Sequence, residues 1–252
     1  MTPERHAVGR FSLLCLLGVA VLSFIRAPIA GAEVICIDFE EFVPGQVVVG
    51  ELPGGGTIDA GLFSHVVFSI ASEGPHNSLV IFDSSHPTGG DFDLGTPHQD
   101  FGGPGVGLGG AAGTPGENAQ PLGNVLIIAE DLHDFSPEDG LVDDPDDEAR
   151  GGLITADFPV PVTVDYIKIL DMDDRARGSS IKLYDEVSLL ADIDIPLLGD
   201  NSVQTIDLHG YHDLTRMEIF FRGSGAIAEL QFHTTPTAVE ITTWGKIKSR
   251  YR

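Results

Sequence analysis

The sequence predicts an all-β fold, a two-sheet antiparallel β-sandwich of jelly-roll or galactose-binding-like type. Short apolar runs, many of which alternate with polar residues, recur along the 252-residue chain. The longer segments do not show the roughly 3.6-residue apolar period of an amphipathic helix. Turn-forming stretches such as "FRGSGA" and "LLGDNS" separate the runs, a pattern typical of sandwich and barrel domains.

Residues 1–32 have the composition of a secretory signal peptide. Arg5 and Arg10 supply the positive start, and the apolar run "FSLLCLLGVAVLSFI" (11–25) follows it. Small residues lead to a cleavage position after Ala32. A transmembrane anchor needs about 20 apolar residues, so this shorter run predicts export, to the medium or the cell surface. No later run reaches that length, so we expect no transmembrane span after signal removal.

The mature chain is expected to form one β-sandwich domain over residues 33–233. Residues 234–252 form a Thr/Pro linker and the basic tail "ITTWGKIKSRYR", which includes the sole tryptophan, Trp244. One interpretation of the tail is a frayed terminus. The other is a signal that a sorting system or an acidic surface reads.

Twelve segments are predicted to be strands, because each gathers apolar or β-branched residues between turn signals. These segments are residues 34–39, 46–50, 65–71, 78–82, 124–130, 153–158, 162–170, 180–185, 186–193, 203–209, 215–221 and 226–232.

The chain is strongly acidic, with 38 Asp and Glu residues against 14 Lys and Arg and a formal charge of −24. The leader contains Glu4 and three arginines, which leaves 37 acidic and 11 basic residues, or −26, in the mature chain. Such a charge repels nucleic acid and favours solubility and cation binding. The composition therefore argues against a nucleic-acid partner.

Cysteine usage predicts a domain without disulfides. Cys15 lies in the leader and Cys36 is the other cysteine, so the mature chain has no partner for an intrachain bridge. Cys36 lies in the apolar run "VICIDF", which predicts a buried structural thiol. An exported domain of this kind depends on its core, or on a metal, for stability.

Two long loops interrupt the strand pattern. Residues 83–123 are rich in Gly and Pro, and we expect an ordered, Asp-bearing start (83–97) and a mobile glycine-rich tip (102–121). Residues 130–148 contain ten Asp or Glu and no Lys or Arg. Acidic runs are often simply solvated, so this loop has that interpretation beside a metal-binding one.

The acidic loops and strand ends favour a calcium site, because Ca²⁺ takes roughly six to eight oxygen ligands, often from flexible loops. Asp alternates here with Gly and Pro, and crowded carboxylates repel one another unless a cation offsets their charge. The EF-hand pattern is absent. A further strand end carries Asp171 and Asp173, expected on the same face as Ile167 and Ile169. The predicted calcium ligands are Asp91, Asp93, Glu130, Asp144, Asp146 and Asp147.

The last strands offer a second candidate site. If their apolar residues face the core, alternation turns polar and aromatic side chains outward. A sheet face that mixes an aromatic ring, Arg and amide or acid groups is suited to binding sugars, although an ordinary solvated face has the same pattern. The predicted ligand face is His209, Phe220, Arg222, Glu229 and Gln231.

Enzyme chemistry has weaker signals. Glycoside hydrolysis needs two carboxyl groups across a cleft, and Glu218 with Glu229, on late strands, is the pair least unsuited to that role. The sequence contains no H-E-x-x-H motif and no Cys pair for zinc, and no G-x-S-x-G nucleophile motif.

Several stretches resemble a known group of proteins. "TGGDFDLGTP", "GNVLII" and "GSGAI" are the strongest of them, within a likeness that covers most of residues 34–232. The group is a set of uncharacterised exported bacterial β-sandwich proteins that often carry PEP-CTERM-type sorting tails. The resemblance implies export and the β-sandwich fold, and it implies no activity. This chain lacks the Pro-Glu-Pro and the apolar span of such a tail.

Together these features predict a secreted, non-catalytic β-sandwich that calcium stabilises and that binds an extracellular glycan or a surface or matrix component. The alternatives are a glycan-cleaving hydrolase and a purely structural cell-surface protein.

Overall fold

The structure, a computed structural model, describes residues 32–63 and 65–234. Within these ranges the chain forms thirteen strands and three short 3-10 turns, and no α-helix. The strands are β1 (Val34–Ile37), β2 (Val47–Glu51), β3 (Thr57–Ile58), β4 (Gly61–Phe63), β5 (Val66–Ser72), β6 (Ser78–Asp83), β7 (Asn124–Ile128), β8 (Gly152–Met172), β9 (Ser180–Tyr184), β10 (Leu189–Asp194), β11 (Gly199–Asp207), β12 (Leu214–Phe221) and β13 (Ala226–Thr234).

The long strand β8 organises the fold, because its two halves belong to different layers. Residues 152–157 pair with β5 on one side and β12 on the other. The second half, from Val162 onward, pairs with β13 and β11. Pro159 and Pro161 lie between these two sets of pairs, where the ladder is interrupted. Proline has no N–H to donate, so it is tolerated at this change of layer.

Layer A consists of β10, β9, β12, the first half of β8, β5 and β4, in that order. Layer B consists of β11, the second half of β8, β13, β7, β6, β2 and β3, with β1 also paired to β13. All pairs between these strands are antiparallel. The predicted all-β, two-layer sandwich is confirmed.

The main hydrophobic core lies between the layers. Phe68, Ile154 and Ile219 from layer A and Ile167 and Leu230 from layer B belong to one buried cluster. Each is fully shielded from solvent. Because alternate residues of a strand point to opposite faces, the residues between them turn outward and form the outer faces of the two layers.

A second core covers part of the outer face of layer B. Strands β6 and β7 are buried on both faces, and Phe82 and Ile127 point away from the main core. Leu94 and Val142, from the two long loops, pack against them. The long loops therefore act as a third layer over part of this sheet.

The glycine-rich segment is packed, which corrects the expectation of a mobile tip at residues 102–121. Gly109 N–H donates to the carbonyl of Asp200, 2.9 Å away. A Cβ atom on Gly107 would lie 2.3 Å from the same carbonyl oxygen. The glycines are thus needed for close approach to β11.

All twelve predicted strand segments contain strand, and two of them, 153–158 and 162–170, are the halves of β8. The short strands β3 and β4 were not predicted. The predicted signal peptide and tail lie outside the described residues, apart from residue 32 and Thr234. No helix among the described residues is long and apolar enough to cross a membrane.

Candidate functional site

Three predicted calcium ligands meet where the two long loops touch. Asp91, from the first loop, and Asp146 and Asp147, from the second, each offer an oxygen within 4.8 Å of the others. Asp91 Oδ2 also accepts a hydrogen bond from Asp147 N–H at 3.0 Å. Gly89 permits this approach, since its φ is +63° and a Cβ there would lie 3.0 Å from the carbonyl of Pro145.

Two further carboxylates extend this group into the sheet. Asp171, near the end of β8, is buried with a φ of +63°. Its Oδ1 accepts a hydrogen bond from Asn201 N–H at 2.7 Å. Asp93 lies near enough to add negative charge at both Asp171 and Asp147. We call Asp91, Asp93, Asp146, Asp147 and Asp171 the acidic cluster.

Ser224, in the turn between β12 and β13, joins two members of the acidic cluster. Its Oγ lies 2.7 Å from Asp147 Oδ2 and 2.9 Å from Asp171 Oδ2. Gly225 N–H donates to the same Asp147 oxygen at 2.6 Å. A hydroxyl has one proton to donate, so it satisfies one of the two carboxylates at a time.

The acidic cluster holds its protons unusually tightly. Burial, followed by the charge of Asp147, raises the pKa of Asp91 to about 9. Burial raises the pKa of Asp147 to about 7 despite hydrogen bonds from Ser224 and Gly225. Burial and the charge of Asp93 raise the pKa of Asp171 to about 8. The pKa values of Asp93 and Asp146 are raised as well, and burial is again the main cause.

These shifts have a common physical cause: burial disfavours the ionised carboxylates, and the neighbouring negative charges add to that cost. Either protons or a cation can relieve that cost. Carboxylate oxygens from flexible loops are ligands of the kind that Ca²⁺ takes. The residues placed to hold such an ion are Asp91, Asp146 and Asp147, and Ser224 connects Asp147 to Asp171.

The other two predicted ligands lie outside this group. The Glu130 side chain is exposed, and its backbone N–H donates to the carbonyl of Asp146. Asp144 is exposed, with a φ of +49°. Neither carboxylate belongs to the group of three that meets at the loop contact.

The carboxylate of Asp171 does not point in the direction that the sequence predicts. Ile167 and Ile169 face the main core, and so does Met172, whereas the carboxylate of Asp171 points to Ser224. The left-handed backbone at Asp171 breaks the alternation that the prediction assumed. For Ser224 the sequence predicts only a place in a turn.

The predicted ligand face is divided between the two layers. Phe220 belongs to β12 in layer A, with Arg222 directly after that strand, while Glu229 and Gln231 belong to β13 in layer B. The two strands pair with different halves of β8. Adjacent strands in the sequence therefore present their outer residues on different faces of the sandwich.

The layer B part is a hydrogen-bonded network. Glu229 accepts from Tyr166, from Lys168 and from the thiol of Cys36 at 3.2 Å. Burial opposes ionisation of Glu229, but these hydrogen bonds outweigh it and lower the pKa of this carboxyl. Gln231 Nε2 donates to Asp165 at 3.1 Å.

His209 completes this network on the far side of Asp165. Its Nε2 lies 3.5 Å from Asp165 Oδ1, and His233 Nδ1 lies 3.2 Å from the same oxygen. Thus His209, Glu229 and Gln231 lie on one surface, as predicted for the ligand face, and Phe220 and Arg222 lie on another.

Cys36 is exposed, which differs from the predicted burial. It lies on the outer side of β1, between the core residues Ile35 and Ile37. Partial burial, with the hydrogen bond and charge of Glu229, raises the pKa of this thiol to about 12. The thiol is therefore protonated and a poor nucleophile at neutral pH.

The carboxyl pair considered for glycoside hydrolysis does not form. Glu218 lies on the outer face of layer A, where Oε2 accepts from Tyr184 at 2.8 Å. Glu229 lies in the layer B network. A general acid also requires a raised pKa, and that of Glu229 is lowered.

Comparisons with known proteins add no assignment: no family model, curated protein or solved structure matches this chain. The resemblance to exported bacterial β-sandwich proteins stays a prediction.

Proposed function

We propose that this protein is a secreted, non-catalytic β-sandwich that binds calcium at the acidic cluster and presents an outer sheet face to an extracellular glycan or surface component. The observation that carries the metal part is the meeting of Asp91, Asp146 and Asp147 with their oxygens within 4.8 Å. Two of these carboxylates come from the second long loop and one from the first, so an ion here would link both loops.

The position of the acidic cluster explains why a cation would stabilise the whole domain. The two loops that supply Asp91, Asp146 and Asp147 also supply Leu94 and Val142 to the second core. Ser224 and Asp171 connect the same site to the turn after β12 and to β8. A bound ion would therefore hold loops and sheet together, and its binding free energy would add to folding stability.

Thermal unfolding of the purified protein in EDTA and in millimolar Ca²⁺ tests the metal part. An ion present at 100 times its dissociation constant adds about 2.7 kcal/mol, which is roughly 5–10 °C for a domain of this size. A matched Mg²⁺ series separates calcium binding from a general effect of divalent ions. Equal melting temperatures in all three buffers would contradict the proposal.

The glycan part is supported by the outer face of layer A. Phe220 is half-buried on this face, and Arg222 is exposed beside it. A sheet surface that presents an aromatic ring with charged groups at its edge suits ligands with both apolar and polar faces. Binding to a glycan array, in calcium, tests this part separately from the metal.

A further inference from the structure

A shallow groove of about 330 Å³ runs across the outer face of layer A. We call it the layer A groove and define it by Ala71, Glu73, Leu153, Lys182, Glu218 and Phe220. It is separate from the acidic cluster and from the layer B network, since it shares no residue with either.

Strand register shows how the groove is built. Phe220 is paired with Leu153, and Leu153 is paired in turn with Ala71. These three side chains form an apolar row across three strands. The next row has Glu218 between Lys182 and Thr155. A ring that lies along the first row would therefore reach charged and hydroxyl groups of the second.

Arg222 gives the groove its chemical preference. Its guanidinium carbon lies over the Phe220 ring, 5.9 Å from the ring centre. Several other cations of the described chain are held by carboxylates, as Arg216 is by Asp157 at 2.7 Å and Arg150 by Glu148 at 2.9 Å. Among the side chains that the structure describes, none forms such an ion pair with Arg222.

This arrangement is informative in a chain with a formal charge of −24. Carboxylates are abundant, yet the guanidinium of Arg222 has its hydrogen-bond donors available beside an aromatic ring. A guanidinium binds a carboxylate through two parallel hydrogen bonds. The face of an aromatic ring meanwhile packs against an apolar surface of a ligand. A sugar ring that carries a carboxylate offers both features.

We propose that the layer A groove binds a glycan that contains uronic acid residues. The C–H face of one sugar lies on Phe220, its carboxylate pairs with Arg222, and Lys182 and Glu218 bind its hydroxyl groups. This inference rests on the glycan-binding part of the proposed function and is independent of the calcium part.

Calorimetric titration of the purified protein with trigalacturonate, in calcium, tests the inference. The methyl ester of the same trisaccharide is the ligand control, because it keeps the rings and removes the charge. A blank titration of calcium buffer with each sugar accounts for binding of the ion by the sugar itself. We expect trigalacturonate to bind at least about tenfold more tightly than its ester, which corresponds to roughly 1.4 kcal/mol.

Variants locate the site. Arg222→Gln is expected to remove the preference for the acid over the ester, and Phe220→Ala to weaken both ligands about tenfold or more. Arg216→Gln, on the same face but paired with Asp157, is the matched control and should change affinity less than about twofold. Melting in calcium confirms that each variant is folded.

The outcomes distinguish the two proposals. If neutral oligosaccharides bind and the acid has no advantage, the uronate inference is wrong and glycan binding stands. If neither acidic nor neutral oligosaccharides bind to folded protein, both are wrong. If trigalacturonate binds equally well to Arg222→Gln, the layer A groove is not its site.

Discussion

Asp147→Asn should make the protein more stable than the wild type in the absence of calcium and less stable than the wild type in its presence. The substitution removes one buried charge and keeps an oxygen that can accept from Ser224 and Gly225. In EDTA at pH 8 the wild-type carboxylate is ionised at a cost, because its pKa has risen from 3.8 to about 7. At about 1.4 kcal/mol per pKa unit, relief of that cost is worth on the order of 2–4 kcal/mol. In EDTA the variant should therefore be the more stable protein.

Calcium should reverse that order. At 1,000 times the dissociation constant the wild-type protein gains about 4.1 kcal/mol, which covers the roughly 2–4 kcal/mol by which the variant is ahead in EDTA, and the variant, which has lost a ligand charge, gains much less. Chemical denaturation at pH 8, in EDTA and in Ca²⁺, measures both values. Asp144→Asn is the matched control, since Asp144 is exposed and outside the group of three, and Asn also tolerates its φ of +49°. If Asp147→Asn destabilises the protein equally in both buffers, the carboxylate is a structural acceptor and the reasoning fails.

Three more predictions follow from the same contacts. First, the folded-state pKa values of Asp91, Asp147 and Asp171, about 9, 7 and 8, exceed the ordinary value of 3.8. The folded state therefore binds more protons than the unfolded state in this window, and stability in EDTA should fall as pH rises from about 4 to 9. Calcium should abolish most of that fall in melts across the same pH range, and an unchanged slope would contradict the metal site. Second, Ile127→Ala should cost about 2–5 kcal/mol by chemical denaturation, because Ile127 is sealed in the second core. The control is Leu108→Ala, at a side chain that is 87% exposed, which should change the free energy of unfolding by less than about 0.5 kcal/mol. Similar losses of stability in Ile127→Ala and Leu108→Ala would argue against a sheet that the loops cover. Third, in a Cys15→Ser background, Cys36 should react slowly with a thiol reagent at pH 8 and faster after Glu229→Gln, because Glu229 helps to raise the thiol pKa. Equal rates in the two proteins would show that Glu229 does not control this thiol.

The strands could be predicted because alternation is a local signal. Met217 and Ile219 face the core and Glu218 lies between them, as the pattern "RMEIFF" requires. The partner of each strand depends on residues that are distant in the sequence. Pro159 and Pro161 separate the two halves of β8 in the sequence. The sequence does not show that the chain continues through this point into another layer, which is why the late strands were assigned to one face.

The sequence predicts part of the acidic cluster, because only some of its residues have a local signal. Asp91, Asp146 and Asp147 were found by composition, because crowded carboxylates are visible in a linear sequence. The role of Ser224 depends on a contact with Asp171 across 53 positions, and no local pattern encodes such a contact. The prediction of a mobile glycine-rich segment is wrong. Glycine is common in mobile loops, but here the lack of side chains allows the segment to pack closely against β11.

Calorimetric titration of Ca²⁺ into EDTA-stripped protein tests whether the acidic cluster binds calcium. We expect saturable binding that is lost in Asp147→Asn and kept in Asp144→Asn. Absence of saturable binding, or equal binding by the wild type and Asp147→Asn, would contradict it.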